Sequence, residues 1–401
     1  MPLYEYVAKD KSGNTINDVL EAPDRQAVLD KLHGRNLILI SLKEKTAGRK
    51  ILKGHKAINI DDIAVFSRQL ATLLDAGIPI LESLDILVHQ LENKNFRLSL
   101  AKIKSDVETG SSLSNAFSKH PKIFSPLYIS MVKAGESSGT LDEILERLAV
   151  YLEKAAMLQR KIKSALVYPA VVTVMAFAIS AVLVIKVIPV FKDVFAGFGA
   201  TLPTPTIILI KISDFARKYF LLLLVMMALE GYILKRYIST EKGRLIFDRL
   251  LIKLPIVGPL FTKVAISKFT RTLSTLVRSG VPILSSLEIV AKTSGNKVFE
   301  RAIDAAREGV REGESIALPL GKSNVFPPMV VRMVAIGEKT GELEKMLAKI
   351  SDFYDEQVDA AVSGLTSMIE PLIIAFLGIV IGTIVICMFL PILRLSAIIQ
   401  V

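Results

Sequence analysis

Few residues in this sequence have the type and spacing that catalysis requires. Gly321-Lys322-Ser323 resembles the end of a phosphate-binding loop. Such a loop needs a further glycine at the position of Ile316 and a preceding β-strand, so that backbone N–H groups can surround the phosphates. The position is an isoleucine, and the surrounding apolar spacing is helical. The sequence therefore predicts that this chain hydrolyses no nucleotide by itself.

A Gly-Glu-x-x-Gly motif occurs twice and is the most distinctive polar pattern. Glycine permits a tight corner between two helices, which gives the motif a structural interpretation. Alternatively, the carboxylates contact a partner, another subunit or a cation. A single carboxylate without a paired base is not an acid–base site. The members of the motif are Gly135, Glu136 and Gly139 in the first copy and Gly337, Glu338 and Gly341 in the second.

Metal and redox sites are not predicted either. The four histidines are scattered along the chain, and Cys387 is the single cysteine. This pattern offers no ligand cluster for zinc or copper. One cysteine also cannot form a disulfide within the chain. We expect no cofactor.

The charge balance indicates a membrane surface rather than nucleic acid. The chain carries 50 Lys and Arg against 39 Asp and Glu, a net charge of +11. Nucleic-acid binding usually concentrates such charge around a recognition motif. Here the basic residues are densest beside apolar segments, where they would face anionic lipid. The composition, 51% hydrophobic with 22% charged residues, fits membrane spans joined to water-soluble domains.

The chain contains an internal duplication. Gly77 and Pro79 recur as Gly280 and Pro282, 203 positions later. The Gly-Glu-x-x-Gly motif recurs 202 positions later. Apolar residues within each copy follow a spacing of three to four, which predicts a bundle of about six helices per copy. Apolar residues recur with the same offsets, among them Phe66 as Phe269, Leu70 as Leu273, Phe124 as Phe326 and Leu141 as Leu343.

Local signals predict where individual helices begin. Ser112 precedes an apolar run and predicts the start of a short helix. Thr140-Leu-Asp-Glu143 has the pattern of a capping box. It predicts the start of a long helix that continues toward the membrane.

Three apolar segments are candidate membrane spans. Residues 168–185 and 371–393 run for 18 and 23 positions without a charge, and a spanning helix needs about 20 residues. Residues 219–234 are interrupted only by Glu230, and residues 206–218 could extend the same helix. Two prolines stand at equivalent membrane entries, Pro169 and Pro371.

Polar and small residues within these segments suggest how the spans behave. Lys186 and Glu230 are functional candidates because ionisable groups are rare in lipid. We expect Lys186 to extend to the interface and Glu230 to face the helix bundle or the headgroups. Gly378 and Gly382 form a Gly-xxx-Gly face, which predicts self-association or packing on the other spans.

Basic residues predict the orientation of the spans. Lys and Arg are denser before the first segment and after the second than in residues 191–218. Because cytoplasmic flanks carry the excess of positive charge, residues up to 167 and residues 235–370 are assigned to the cytoplasm. By alternation the C-terminus lies outside.

The first residues have a different pattern. Strand-like alternation near 4–8, 15–20 and 37–42, with a helical stretch over 24–33, predicts a small α+β module. Gly13-Asn14 marks a turn.

These observations predict a mainly α-helical polytopic membrane protein with two duplicated cytoplasmic six-helix bundles, three transmembrane helices and a small N-terminal α+β module. The predicted segments are the module at 1–50, a linker at 51–60, the first repeat at 61–167, a first span at 168–190, an external loop with the start of the next helix at 191–218, a second span at 219–238, a cytoplasmic connector at 239–265, the second repeat at 266–370, a third span at 371–393 and an external tail at 394–401.

The motifs taken together resemble one family, the inner-membrane platform proteins of type II secretion systems and type IV pilus assembly. The resemblance covers nearly the whole chain, from the opening YEYVAKDKSGN onward. It rests on RQLATLLDAGIPILESL (68–84), VKAGESSGTLDEIL (132–145), SALVYPAVV (164–172), SGVPILSSLEI (279–289), AIGEKTGELEKML (335–347) and IEPLIIAFLGIVIG (369–382).

The resemblance implies a non-enzymatic, homo-oligomeric platform in the bacterial inner membrane. It implies coupling of a hexameric assembly or secretion ATPase to pilins or pseudopilins, together with other inner-membrane assembly proteins. No nucleic-acid partner is expected. Pilus assembly and type II secretion both remain open. The alternative from another class is a polytopic transporter or channel, which would require more polar spans than this sequence has.

Overall fold

The computed structural model describes residues 3–9, 15–21, 25–33, 38–45, 57–197, 203–255 and 257–399. The described residues group into two compact units, one within Met1–Ile58 and Leu91–Ser99 and the other within Asn59–Gln90 and Leu100–Val401. The chain is mainly helical, as predicted. Four predicted features lie wholly or partly outside the described residues: the turn at Gly13-Asn14, the linker (51–56), the external loop (198–202) and the end of the tail (400–401).

A three-stranded antiparallel sheet and one helix form near the N-terminus. Strand β1 lies between β2 and β3. Because side chains alternate between the faces of a strand, Tyr4 and Ala8 lie on the same face of β1, and both are buried together with Val28. The predicted strands and helix are present. Their bounds are β1 Leu3–Lys9, β2 Thr15–Glu21, α1 Arg25–His33 and β3 Ile38–Lys45.

The duplicated sequence folds into two equivalent series of helices. The first series is α2 Ile60–Asp75, α3 Ile80–Gln90, α4 Lys94–Glu108, α5 Leu113–Ser118, α6 Pro126–Ser138 and α7 Leu141–Val182. After a π-helical turn at Leu183–Val187, the chain continues through α8 Ile188–Gly197, α9 Thr204–Lys218, α10 Phe220–Ile238 and α11 Glu241–Lys253. The second series is α12 Gly258–Arg278, α13 Ile283–Thr293, α14 Lys297–Arg311, α15 Ala317–Lys322, α16 Pro328–Thr340 and α17 Leu343–Ile399.

The equivalent residues Phe124 and Phe326 each contact other aromatic rings in the core of their repeat. Phe124 contacts Phe117 with ring centroids 4.3 Å apart and Tyr128 at 4.8 Å. In the second repeat Phe326 lies 4.9 Å from Phe269 and 5.3 Å from Phe299. Offset and edge-on contacts of this kind are the arrangement that aromatic rings prefer. Both phenylalanines, which recur 202 positions apart in the sequence, are buried.

The start of α7 differs from the sequence prediction. Thr140 stands at the N-cap, but its side chain makes no capping hydrogen bond. Gly139 before it has φ 74°, and this turn brings the Thr140 hydroxyl within 2.7 Å of the Ser138 hydroxyl. The predicted capping box is therefore wrong. The short helix predicted after Ser112 is confirmed, because the Ser112 hydroxyl accepts the N–H of Asn115 at 3.3 Å.

Among the described residues, two helices are long and apolar enough to span a membrane, over Leu141–Phe191 and Leu343–Leu390. Each begins as the last helix of a repeat and continues without interruption into the apolar segment. Pro169 is buried inside α7, and Pro371 lies inside α17. Helix α10 has 19 residues with no side chain buried, and it includes Glu230.

Candidate functional site

Glu136 caps a helix in its own repeat. It lies on α6, and its carboxylate accepts the backbone N–H of Leu113 and that of Ser114, the latter at 3.1 Å. The Ser114 hydroxyl also donates to the same carboxylate. These groups are the unpaired donors at the start of α5, where a negative charge is favoured by the helix dipole. The contact joins α5 to α6.

Glu338 caps the equivalent helix, α15, in the second repeat. Its carboxylate accepts the N–H of Ile316 at 2.5 Å and that of Ala317 at 3.0 Å, at the start of α15. The described residues contain no group of three or more His, Cys, Asp or Glu side chains that could hold a metal ion. Both carboxylates of the Gly-Glu-x-x-Gly motif therefore accept hydrogen bonds within their own repeats.

The glycines of the motif allow α6 and α16 to lie close to the following helices. A Cβ added at Gly135 would lie 3.1 Å from the Leu141 Cα, and one added at Gly337 would lie 2.8 Å from the Leu343 Cα. The last glycine of each motif ends its helix in the left-handed conformation, with φ 74° at Gly139 and 73° at Gly341. Both corners therefore have the same geometry.

The Gly-x-Pro pairs form the first corner of each repeat. Gly77 and Gly280 have φ 79° and 73°. Pro79 and Pro282 stand immediately before α3 and α13, and each carbonyl accepts a helical N–H at 2.9 Å. These four predicted residues join α2 to α3 and α12 to α13.

The two repeats contact each other along their long last helices. Lys154 of α7 lies 3.4 Å from Asp352 of α17, and Lys161 lies 2.6 Å from Asp359. On each helix the second pair lies seven positions after the first, which is about two helical turns. They therefore lie on one face of each helix, and α7 and α17 run side by side as they approach the membrane.

A cleft of about 430 Å³ lies between α7, α12 and α17. On one side Tyr151 of α7 hydrogen-bonds to Thr272 of α12 at 3.1 Å. Burial raises the pKa of the Tyr151 phenol, so it stays protonated. At the mouth Arg147 donates to the carbonyl of Arg278 at 2.7 Å. These bonds connect the first repeat to the second.

An ion pair between a buried arginine and a half-buried aspartate lies beside the same cleft. Arg271 is only 8% exposed and forms an ion pair with Asp355 of α17. The Asp355 carboxylate also accepts the hydroxyl of Ser267 at 2.5 Å. Nothing in the sequence marks this pair, because its members are far apart along the chain and lie in different helices.

An apolar cluster continues the contact between the repeats toward the membrane. Leu260 of α12 packs with Val358 and Leu365 of α17. Leu158 of α7 packs against the same cluster. Apolar contacts thus follow the ion pairs along α7 and α17.

Within the apolar segments, α7 and α17 remain in contact. The rings of Phe177 and Phe376 have centroids 5.6 Å apart. Thr206 at the start of α9 donates to the carbonyl of Cys387 at 2.5 Å. A Cβ added at Gly378 or Gly382 would meet nothing within 4 Å. The predicted Gly-xxx-Gly face is therefore not used by the described helices of this chain.

The remaining polar candidates do not form a site. Lys186 and Glu230 are exposed, and the described residues give neither of them an ion-pair partner. Gly321-Lys322-Ser323 lies at the end of α15, where a helix rather than a strand precedes it. Lys322 instead pairs with Glu314 at 3.4 Å. The expectation that this tripeptide is not a phosphate-binding loop agrees with that placement.

Comparison with known proteins covers nearly the whole chain. Residues 66–189 and 269–391 each match the family described as Type II secretion system (T2SS), protein F. Residues 1–43 match the family described as Type II secretion system protein F, N-terminal domain. The two long matches begin at Phe66 and Phe269, which are equivalent core residues of the repeats.

Individual relatives align from end to end. A protein named Type IV pilus assembly protein PilC from Myxococcus xanthus is 44% identical, over 98% of this chain and 95% of its own. A protein of the same name from Thermus thermophilus is 43% identical, over 98% of each chain. A protein named Type II secretion system protein F from Vibrio cholerae is 33% identical, over 99% of each chain.

Proposed function

The chain belongs to the type II secretion system protein F family, and from this premise we propose that it is an inner-membrane platform protein that couples a cytoplasmic motor ATPase to the assembly of pilin or pseudopilin subunits. Its role is structural rather than enzymatic. The observation that carries this proposal is the continuity of α7 and α17, each of which is both the last helix of a repeat and a membrane span.

Sequence identity favours a role in pilus assembly over a role in type II secretion. The pilus assembly proteins named above are 44% and 43% identical to this chain, whereas the secretion protein is 33% identical. Deletion of the gene should remove surface pili and leave the secretion of exported enzymes unchanged. Loss of secretion with normal pili would assign the chain to type II secretion instead.

A third span, formed by α10, follows from the packing of the repeats. Lys161 and Asp359 form an ion pair, which supports a topology with both repeats on one side of the membrane. Since α7 crosses the membrane after the first repeat, the chain must cross back before the second. Helix α10 is about 28 Å long at 1.5 Å per residue, close to the thickness of the hydrocarbon core. Basic residues at its end, Lys235 and Arg236, support a cytoplasmic exit.

This topology places both repeats in the cytoplasm and the C-terminus outside. It makes the chain a multi-pass protein of the bacterial inner membrane. The cytoplasmic repeats would bind the hexameric ATPase, and the spans would contact pilins and other inner-membrane assembly proteins. The unused Gly378–Gly382 face is available for a second copy of the chain.

The mechanism is mechanical transmission along rigid helices. Helix α7 is about 60 Å long at 1.5 Å per residue, and ion pairs and apolar contacts hold it beside α17. A force that the ATPase applies to the repeats therefore moves the spans as well. The chain needs no nucleotide site of its own. We expect the purified chain to bind the ATPase and to hydrolyse no ATP by itself, and ATP hydrolysis by the chain alone would contradict the proposal.

Interrupting α7 tests this transmission directly. Insertion of two glycines after Ser164, outside the apolar segment, should abolish piliation while the chain still inserts in the membrane and binds the ATPase. The matched control is the same insertion between α8 and α9, which leaves α7 intact and should preserve piliation. Normal piliation with the insertion after Ser164 would show that α7 does not transmit force.

A further inference from the structure

Helix α11 turns a polar side chain toward the protein. Asp248 is only 7% exposed, and its carboxylate accepts the N–H of Lys297 at 2.7 Å. Lys297 is the first residue of α14. Asp248 thus caps a helix of the second repeat and fixes how α11 docks on it.

The opposite side of α11 is apolar and exposed. Ile246 is 57% exposed and Leu250 is 60% exposed, and Phe247 and Leu254 are exposed beside them. At about 100° per residue, Ile246, Phe247 and Leu250 occupy an arc about 100° wide, and Leu254 follows the helix as its C-cap. A helix on the surface of a water-soluble domain normally places such an arc against the core. In α11 it points away from the protein.

Basic residues lie along one border of this arc. Lys242, Arg249 and Lys253 are exposed, and the structure gives none of them a carboxylate partner among the residues it describes. No acidic side chain lies on that border. An apolar arc bordered by cations is the pattern of helices that lie in the headgroup region of an anionic membrane.

The position of α11 in the chain indicates the same partner. Only Ser239 and Thr240 separate it from α10, whose last turn carries Lys235 and Arg236. If α10 is a span, as proposed above, α11 begins within one turn of the cytoplasmic headgroups. An anionic lipid surface is then the nearest apolar phase that can cover the exposed arc.

We propose that α11 is an interfacial anchor. Ile246, Phe247 and Leu250 insert between the lipids of the cytoplasmic leaflet, and the cations on its border bind lipid phosphates. Because Asp248 caps α14 from the other side, the anchor holds the second repeat at a fixed orientation to the membrane surface.

Lipid-mediated quenching tests the anchor in the full chain. In a Cys387→Ser background, Ile246→Cys is labelled with an environment-sensitive fluorophore and reconstituted into vesicles that contain phosphatidylglycerol and spin-labelled lipid. Ile336→Cys on α16 is the matched control, since Ile336 is an isoleucine of similar exposure, 51%. Leu224→Cys reports α10. We expect strong quenching at positions 246 and 224, and quenching at position 336 at least fivefold weaker.

The outcomes separate this inference from the proposed topology. Quenching at position 224 without quenching at 246 would overturn the anchor and leave α10 as a span. Absence of quenching at both positions would overturn the anchor and the third span together. A blue-shifted but unquenched label at position 246 would show that a protein, a second copy or a partner, covers the arc instead. Equal quenching at 246 and 336 would also overturn the anchor.

A separate experiment tests whether the anchor requires anionic lipid. Quenching at position 246 should weaken in vesicles of phosphatidylcholine alone. Replacement of Lys242, Arg249 and Lys253 by Gln should remove this dependence on lipid charge. An unchanged dependence in the triple variant would contradict the role assigned to the cations.

Discussion

Glu136 and Glu338 satisfy backbone donors at the starts of α5 and α15, so each residue contributes to stability within its own repeat. Their carboxylates accept N–H groups that no other acceptor in the helix can reach. The same contact occurs in both copies of the motif. A partner that touched these residues would compete with the caps.

Glu136→Gln should destabilise the chain by about 1–2 kcal/mol, because the neutral amide offers one acceptor atom and no charge to the helix start. Thermal melting followed by circular dichroism in detergent measures the effect. Glu338→Gln should cost a similar amount, and the two losses should add because the sites are far apart.

Glu312→Gln is the control for this pair of variants, since Glu312 is exposed and follows the last turn of α14. It should change stability by less than about 0.5 kcal/mol. Equal melting temperatures for Glu136→Gln and the parent chain would contradict the capping role of Glu136.

Arg271 and Asp355 form a pair whose loss should be costly. Asp355→Asn leaves a guanidinium that is 8% exposed without its carboxylate, and because the Asp355 side chain is itself 29% exposed we expect a loss of about 1–3 kcal/mol. Thermal melting followed by circular dichroism in detergent measures this loss of stability. Replacing both residues by apolar ones, Arg271→Met with Asp355→Leu, should recover most of the loss. If the double variant melts no higher than Asp355→Asn, the loss does not come from an unpaired charge.

The contact of Arg68 with Glu153 makes stability depend on pH. The hydrogen bond from Arg68 lowers the pKa of Glu153 below its usual value. The resulting stabilisation is present above the unfolded pKa, about 4.3, and is lost as pH falls through the lower folded pKa. Arg68→Met should therefore melt below the parent chain at pH 7, and the difference should narrow at pH 3.

Arg301→Met is the control, because Arg301 is exposed and has no carboxylate partner among the described residues. The difference in melting temperature between Arg301→Met and the parent chain should be the same at pH 7 and at pH 3. A difference for Arg68→Met that widens on acidification would contradict the assigned sign.

At the scale of the helices, the corner between α16 and α17 requires glycine at position 337. A Cβ at Gly337 would lie 2.8 Å from the backbone of Leu343, so Gly337→Ala must push the two helices apart. Overpacking of this kind costs about 1–3 kcal/mol. Gly364→Ala in α17 is the matched control, because a Cβ there meets nothing within 4 Å.

Gly364→Ala should be neutral or stabilising by up to about 1 kcal/mol, since alanine is the better helix former. Urea titration of both variants in detergent gives the comparison. Similar midpoints for the two variants would contradict the close approach of α16 and α17.

The sequence predicted the repeated helices because apolar spacing and recurring Gly and Pro positions are local signals. It failed at Thr140, because the Thr140 backbone is not in the extended conformation typical of an N-cap residue and its hydroxyl lies beside the Ser138 hydroxyl instead. It also missed the role of Glu136, since the acceptor and its donors are 22 and 23 residues apart. Spacing within one helix carries no information about such a contact.

Contacts between the repeats were not predictable for the same reason. Lys154 and Asp352 are 198 positions apart, and so are Lys161 and Asp359. Each residue alone is typical of an exposed helix face. Only the packing of α7 on α17 makes them partners.

At the scale of the whole molecule, these contacts constrain how the chain crosses the membrane. In the proposed topology the two touching repeats share one aqueous compartment, and the chain that leaves this compartment through α7 returns before α12. The proposed roles of α10 as a span and of α11 as an interfacial anchor both depend on this return. The transmission of force depends on it as well, because α7 and α17 can act as one unit only if they enter the membrane from the same side.

The location of the two repeats is therefore the most direct test. Lys104→Cys and Arg307→Cys, one in each repeat, are each introduced into the Cys387→Ser chain and exposed to a membrane-impermeant maleimide in cells with a permeabilised outer membrane. Both positions should stay unlabelled until the inner membrane is also permeabilised, after which both should react. Labelling of one position and not the other before that step would place the repeats on opposite sides and contradict the account.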